Sequence, residues 1–153
     1  MTNIEGLYDA DWFLVNNKPS IFLFTRDKQR KKIIKKIDTF KPYFYVAREE
    51  YENRSGAVSN HIIKDDEYFK TIDNKYCIKL VLDTPYSVYE VKNKLTTTYE
   101  SDVLFVNRYM IDEIDNIEKG DYRICYFDIE TTTKNGFPDY LNPIESIISI
   151  ALY

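Results

Sequence analysis

The chain has 153 residues, enough for one average domain or for a small domain and the start of a second, and enough to bury about two-thirds of its surface. Hydrophobic residues make up 44% and aromatic residues 16%, with 14 Tyr and 9 Phe, which argues against disorder and for a β-rich core. A formal net charge of −4 argues against a general nucleic-acid binder, whose positive excess displaces counterions from phosphate, so any contact with DNA has to be local.

The first residues, Met1 to Gly6, have neither the basic start nor the apolar run of a signal peptide, and a cytoplasmic location is expected. Asp11 to Val15 and Ser20 to Phe24 are β-prone runs around the turn cluster Asn16-Asn17-Lys18-Pro19, which predicts a hairpin. Lys31 to Ile37 stays open: Ile33, Ile34 and Ile37 fit helical spacing as well as an edge strand, and the lysines suit either phosphate contact or a solvated face. Phe40 to Val46 predicts a strand, because Pro42 holds Lys41 extended and three consecutive aromatics follow. Those rings cannot all face one core, so the strand is covered on both sides or one ring lines a binding surface.

Arg48 to Asn60 reads as a short helix and loop, His61-Ile62-Ile63 as the start of a strand, and Tyr76 to Leu82 as a clear strand. Thr84 and Pro85 supply an N-cap and a first-turn proline, with Val88, Val91 and Leu95 at helical spacing, so a helix is predicted from Pro85 to Leu95. Ser101 to Val106 is expected to be extended and Asn107 to Ile114 helical. Gly120, within Asn116 to Asp121, marks a boundary. Cys77, Cys125 and the single His61 are too few and too scattered for zinc, and both cysteines are expected to be reduced core residues.

In Arg123 to Thr133 an apolar run ends in two carboxylates. In a strand Asp128 and Glu130 share a face, roughly 7 Å apart at Cα, with Cys125, Phe127 and Ile129 on the other. Such a strand reads as a buried central strand delivering carboxylates to a sheet end, where a hard cation finds oxygen ligands. A bare Asp-x-Glu also suits a solvated strand end. Asn135-Gly136 then signals a turn and Ile144 to Tyr153 a second strand, too short to span a bilayer, so no membrane partner is expected. The chain stops inside that apolar strand, which leads us to expect a piece of a larger protein.

The ordered set of the Trp12 hairpin, Phe40-Lys41-Pro42-Tyr43-Phe44-Tyr45, Leu80 to Pro85 with its helix, Phe105-Val106-Asn107-Arg108-Tyr109-Met110-Ile111-Asp112 and Phe127-Asp128-Ile129-Glu130-Thr131 resembles the N-terminal part of a family B DNA polymerase, archaeal members above all. The resemblance implies an α+β fold: a mixed β-sheet N-terminal domain over residues 1–120 with a ferredoxin-like β-α-β core, then, over 121–153, the first β-hairpin of a ribonuclease-H-like 3′→5′ exonuclease domain. It also favours strand for Lys31 to Ile37.

By the same resemblance, Asp128 and Glu130 match the first proofreading motif, whose role is to ligate two Mg²⁺ or Mn²⁺ ions for hydrolysis of the terminal phosphodiester. The implied partners are DNA, as template strand and primer 3′ end, and the remainder of the polymerase chain. Later exonuclease motifs and the polymerase motifs are absent, so this chain alone is expected to be inactive. In archaeal relatives the N-terminal domain also holds a pocket for template uracil. The matching positions are Trp12, Pro42, Tyr43, Cys77, Phe105 and Arg108, with Trp12 replacing a tyrosine and Cys77 a valine. Arg48 to His61 lacks the relatives' long helix. A free-standing nucleic-acid-binding or regulatory module, and the start of another ribonuclease-H-like nuclease, remain as alternatives.

Overall fold

A computed structural model describes residues 2–58, 62–121, 123–133, 136, 139, 141–142 and 144–153, with 54–55, 57–58 and 62–68 at backbone level. They form two compact units, Met1–Asp121 and Tyr122–Tyr153.

The first unit starts with β1 (Thr2–Glu5), followed by the hairpin of β2 (Leu7–Val15) and β3 (Lys18–Arg26). Asn16 and Asn17 both have positive φ, 52° and 62°, the backbone that a two-residue turn matched to strand twist requires and that Asn tolerates. The predicted hairpin is therefore present with a tighter turn, and Lys18 and Pro19 already lie in β3. Pro19 is accommodated because β4 (Lys32–Ile37) pairs with β3 only from Ile21 onward, leaving no ladder bond on that side of the proline. The ambiguous lysine run is thus an edge strand in a three-stranded antiparallel sheet, β2-β3-β4.

Gly6 joins β1 to β2 at φ +64°, where Arg26 N donates to Gly6 O at 2.9 Å and Gly6 N donates to Glu118 O at 3.0 Å. A Cβ there would stand 2.0 Å from Arg26 O, so only glycine allows this approach. Glu118 ends β9 (Ile114–Glu118), which pairs in parallel with β1. This strand corrects the reading of 116–121 as boundary alone. Its largely exposed, polar pattern offers no alternation, and only its distant partner makes it a strand.

The second sheet is antiparallel, in the order β6-β7-β5-β8, from β5 (Tyr43–Ala47), β6 (Ile62–Lys70), β7 (Tyr76–Leu82) and β8 (Thr98–Tyr99). Helix α1 (Arg48–Val58) connects β5 to β6, and α2 (Pro85–Lys92) connects β7 to β8. Phe44 and Val46 alternate into a core with Ile78, Leu80, Leu82 and Val91, while Tyr43 and Tyr45 turn to the opposite face with ring centroids 5.7 Å apart. The aromatic run of β5 is thereby divided between two surfaces. Thr84 Oγ1 accepts from Ser87 N at 3.2 Å, capping α2 as predicted, although the helix ends at Lys92 and Leu95 packs on the core from beyond it.

Helix α3 (Phe105–Glu113) corrects the expectation of extended chain through Val106. Phe105 and Tyr109, one helical turn apart, enter the second core with Ile4, Ile21 and Leu23. Contact with the first sheet outweighs the β propensity of the run Val103 to Val106.

In the second unit β10 (Phe127–Thr131) and β11 (Ile147–Leu152) form an antiparallel pair. The expectation of a buried central strand is corrected: Phe127 to Glu130 are exposed, because a two-stranded ribbon has no second layer among the described residues. Cys125 is likewise exposed and not a core residue, whereas Cys77 is buried; both are free thiols. The second strand begins at Ile147 and not Ile144. His61 and Asn135 lie outside the described residues. Among the described residues no helix is long and apolar enough to cross a membrane.

Candidate functional site

Within the first unit, β2, the chain entering β5, helix α2 and the N-terminal turn of α3 enclose a cleft of about 430 Å³. Each wall follows from a local pattern. Trp12 is on the core face of β2, opposite Ile21; Pro42 immediately precedes β5 and Tyr43 begins it; Phe105 and Arg108 share the buried face of α3. All five line the cleft. The Trp12 ring stands edge-on to Phe105 at 5.9 Å and to Tyr86 at 5.4 Å, and Phe40 supports Phe105 from behind at 5.8 Å. The result is a slot walled by rings and open at the Tyr86 and Tyr89 side, where both tyrosines are exposed.

The polar side of the slot is built around Arg108, which is only 6% exposed. Its guanidinium lies 4.8 Å from the Tyr43 ring centre, and Nη2 is 2.7 Å from Glu100 Oε2 as an ion pair. Yet neither Nε nor Nη2 has an aligned hydrogen-bond acceptor among the described residues. Nη2 is compensated by the Glu100 carboxylate, whereas a buried donor without any acceptor is costly, which leaves Nε open to a ligand oxygen. Burial opposes the charge on Arg108, but Glu100, Tyr43 and Asp112 outweigh it and raise its pKa. The Tyr43 hydroxyl donates to Asp112 Oδ2 at 2.5 Å, and burial first, then that bond, pushes its pKa above the ordinary tyrosine value. Tyr43 therefore stays neutral and holds β5 against α3.

Cys77 does not line the cleft. It shares a sheet face with Tyr43 but lies at the far end of the ladder, opposite Ala47, where burial raises its thiol pKa. Tyr86, Tyr89, Lys92 and Asn107 also line the slot and were not anticipated. The sequence signal for Tyr86 and Tyr89 was present, as two aromatics three apart on a helix face that faces away from the core.

Asp128 and Glu130 stand on one face of β10, opposite Ala151 and Ser149. Asp128 Oδ1 accepts from Ile129 N at 3.0 Å. At the other end of the ribbon Thr132 Oγ1 donates to Glu145 Oε2 at 2.6 Å and accepts from Ser146 N at 3.2 Å, closing the pair beyond a bulge at Glu130/Thr131. Both acids are exposed, and neither is ion-paired among the described residues. Their oxygen chemistry fits Mg²⁺ or Mn²⁺, but their number does not complete a cage, and no group of three or more His, Cys, Asp or Glu is arranged for a metal among the described residues.

No protein-family model and no curated protein matches the sequence. Among solved structures the fold is similar to the family B DNA polymerase of the hyperthermophilic archaeon Pyrobaculum calidifontis, with a TM-score of 0.69 and 18% identity. The match covers 96% of this chain and 25% of that one, so the chain spans about a quarter of the polymerase's length. Across nearly all of its residues the chain thus has the fold of a segment of an archaeal family B DNA polymerase.

Proposed function

We propose that the chain is the N-terminal segment of a family B DNA polymerase, contributing template-strand contact, a domain scaffold and the first carboxylate motif of a 3′→5′ proofreading exonuclease. The observation that carries this reading is the fold likeness over 96% of the chain. The β-α-β-β-α-β connectivity with strand order β6-β7-β5-β8 supports a ferredoxin-like core, and the β10–β11 pair supports the opening hairpin of a ribonuclease-H-like domain. The remainder of the polymerase and the primer 3′ end would be its partners.

The ring-walled slot is proposed to hold a flipped template base, with uracil as the favoured ligand. Its ring walls offer apolar contact to a base, and Arg108 Nε, which has no acceptor among the described residues, supplies a donor to a ligand oxygen, either of the base or of an adjacent phosphate. Asp128 and Glu130 would hold a divalent Mg²⁺ or Mn²⁺ together with further carboxylates. The ions, when bound, would supply charge neutralisation at the phosphodiester and an activated water. The chain's own part is to present two carboxylate oxygens on one strand face.

Fluorescence anisotropy with single strands that differ only in one uracil or thymine tests the slot. Tighter binding of the uracil strand, reduced by Arg108→Met, is expected; equal affinities would remove base recognition from the slot. For the intact polymerase, Asp128→Ala with Glu130→Ala should abolish 3′→5′ exonuclease activity while polymerisation persists, and full proofreading in that double variant would remove the metal-ligand role.

A further inference from the structure

The sheet β2-β3-β4 buries Ile21 and Leu23 on one face, and Trp12 lies on that same side in the cleft wall. The opposite face is aromatic and partly open to solvent. Tyr8 is 42% and Phe13 52% exposed, and their rings stand 6.5 Å from Phe24 and 5.7 Å from Phe22. A solvated face of an antiparallel sheet ordinarily carries polar residues, so a row of rings there points to a ligand.

The charges around those rings are sorted. On the β4 flank the register places Lys36 opposite Phe22 and Lys32 opposite Arg26, whose guanidinium lies 5.6 Å from the Tyr8 ring centre. On the β2 flank it places Asp11 opposite Phe22 and Asp9 opposite Phe24. Arg26 to Lys36 holds seven basic residues against the single acid Asp27, in a chain of net charge −4. Lys36 pairs with Asp38 at 3.0 Å, and Lys32 has no ion pair among the described residues.

We propose that this sheet face binds single-stranded nucleic acid, with bases stacked on Tyr8 and Phe13 and the phosphates running along the β4 flank against Arg26, Lys32 and Lys36. The charge sorting selects the occupant. An anionic backbone is attracted to one flank and repelled from the other, while every base offers a π-face to the rings between them. A duplex keeps its bases stacked on one another and cannot use the rings. The site is on the other side of the sheet from the ring-walled slot and does not depend on the polymerase reading.

The test is anisotropy titration of the 153-residue chain into a labelled oligothymidylate of about 12 nucleotides and into a duplex of the same length, across a salt series. Tyr8→Ser with Phe13→Ser is expected to weaken single-strand binding by at least about thirtyfold. Lys32→Gln with Lys36→Gln is expected to weaken it and to make the log K against log salt slope shallower by about 1.4. Asp9→Asn with Asp11→Asn is expected to tighten binding, a gain that no folding defect produces. Three outcomes overturn the assignment: no single-strand binding, equal binding of the duplex, or an affinity indifferent to both the ring and the charge variants. Self-association of the lysine variant with unchanged oligonucleotide affinity also overturns it, since the lysines would then only guard a strand edge.

Discussion

Two residues show how a single position commands its surroundings. Gly6 is fixed both by its positive φ and by the 2.0 Å that would separate a Cβ from Arg26 O. Gly6→Ala is expected to cost at least about 2 kcal/mol, since the left-handed backbone and the backbone clash both penalise a side chain, and urea denaturation would measure it. An unchanged midpoint would mean that β1 can shift away from β2 without loss. Tyr43 makes a different contribution, joining β5 to α3 through Asp112. Tyr43→Phe removes the donor and leaves a part-buried carboxylate short of a partner, for an expected loss of about 1–2 kcal/mol that a thermal melt would report. Neither requirement is legible from residue type alone: a glycine near a strand end and a tyrosine in an aromatic run each fit several environments.

At the scale of elements, a carboxylate ties helix α1 to the chain entering β8. Glu50, in the first turn of α1, accepts hydrogen bonds from the backbone N–H groups of Thr96 and, at 2.6 Å, Thr97. These bonds, that to Thr96 foremost, lower its pKa from the ordinary value of 4.5. A depressed folded-state pKa means that the contribution is fully present above 4.5 and is lost as pH falls through the lower folded value. The stability difference between the wild-type chain and Glu50→Gln should therefore be constant from neutral pH down to about 4.5 and shrink as pH falls further through the folded value. A difference that is equal at pH 7 and at the acid limit would show that the ionised form contributes nothing. The strands β2, β3 and β7 and helix α2 were legible because alternation, an Asn-Asn turn and a Thr-Pro cap are local signals. The start of α3 was not, because Val103 to Val106 reads equally well as a strand until Phe105 and Tyr109 have a sheet to pack against.

Across the whole molecule the two units differ in what protects them. The first has two buried clusters, whereas the β10–β11 ribbon exposes Ile129, Ile148, Ile150 and Leu152. An isolated two-stranded pair is marginal in water. Amide hydrogen exchange of β10 and β11 should accordingly be much faster than that of Ile78 to Leu82, and comparable protection would contradict the exposure of the ribbon. The same incompleteness governs metal affinity. With two carboxylates and no cluster of three or more His, Cys, Asp or Glu among the described residues, Mn²⁺ is expected to bind this chain no more tightly than about millimolar. Tight binding abolished by Asp128→Ala would show that the donor set is fuller than the described residues make it.

The sequence by itself determined the local pieces: the Trp12 hairpin, the capped helix α2, the buried alternation of β5 and β7, and the placing of Asp128 and Glu130 on one strand face. Each depends on neighbours within a few residues, where backbone sterics and side-chain alternation leave few options. Tertiary structure alone decided that the polar stretch Ile114–Glu118 is a strand, that Lys32–Ile37 is an edge, and that Trp12, Pro42, Tyr43, Phe105 and Arg108 meet in one slot while Cys77 does not. Those outcomes rest on partners far away in the chain, such as β1 with β9 and Trp12 with Phe105. Burial and hydrogen-bond satisfaction across such distances arise only once the sheets and helices have packed.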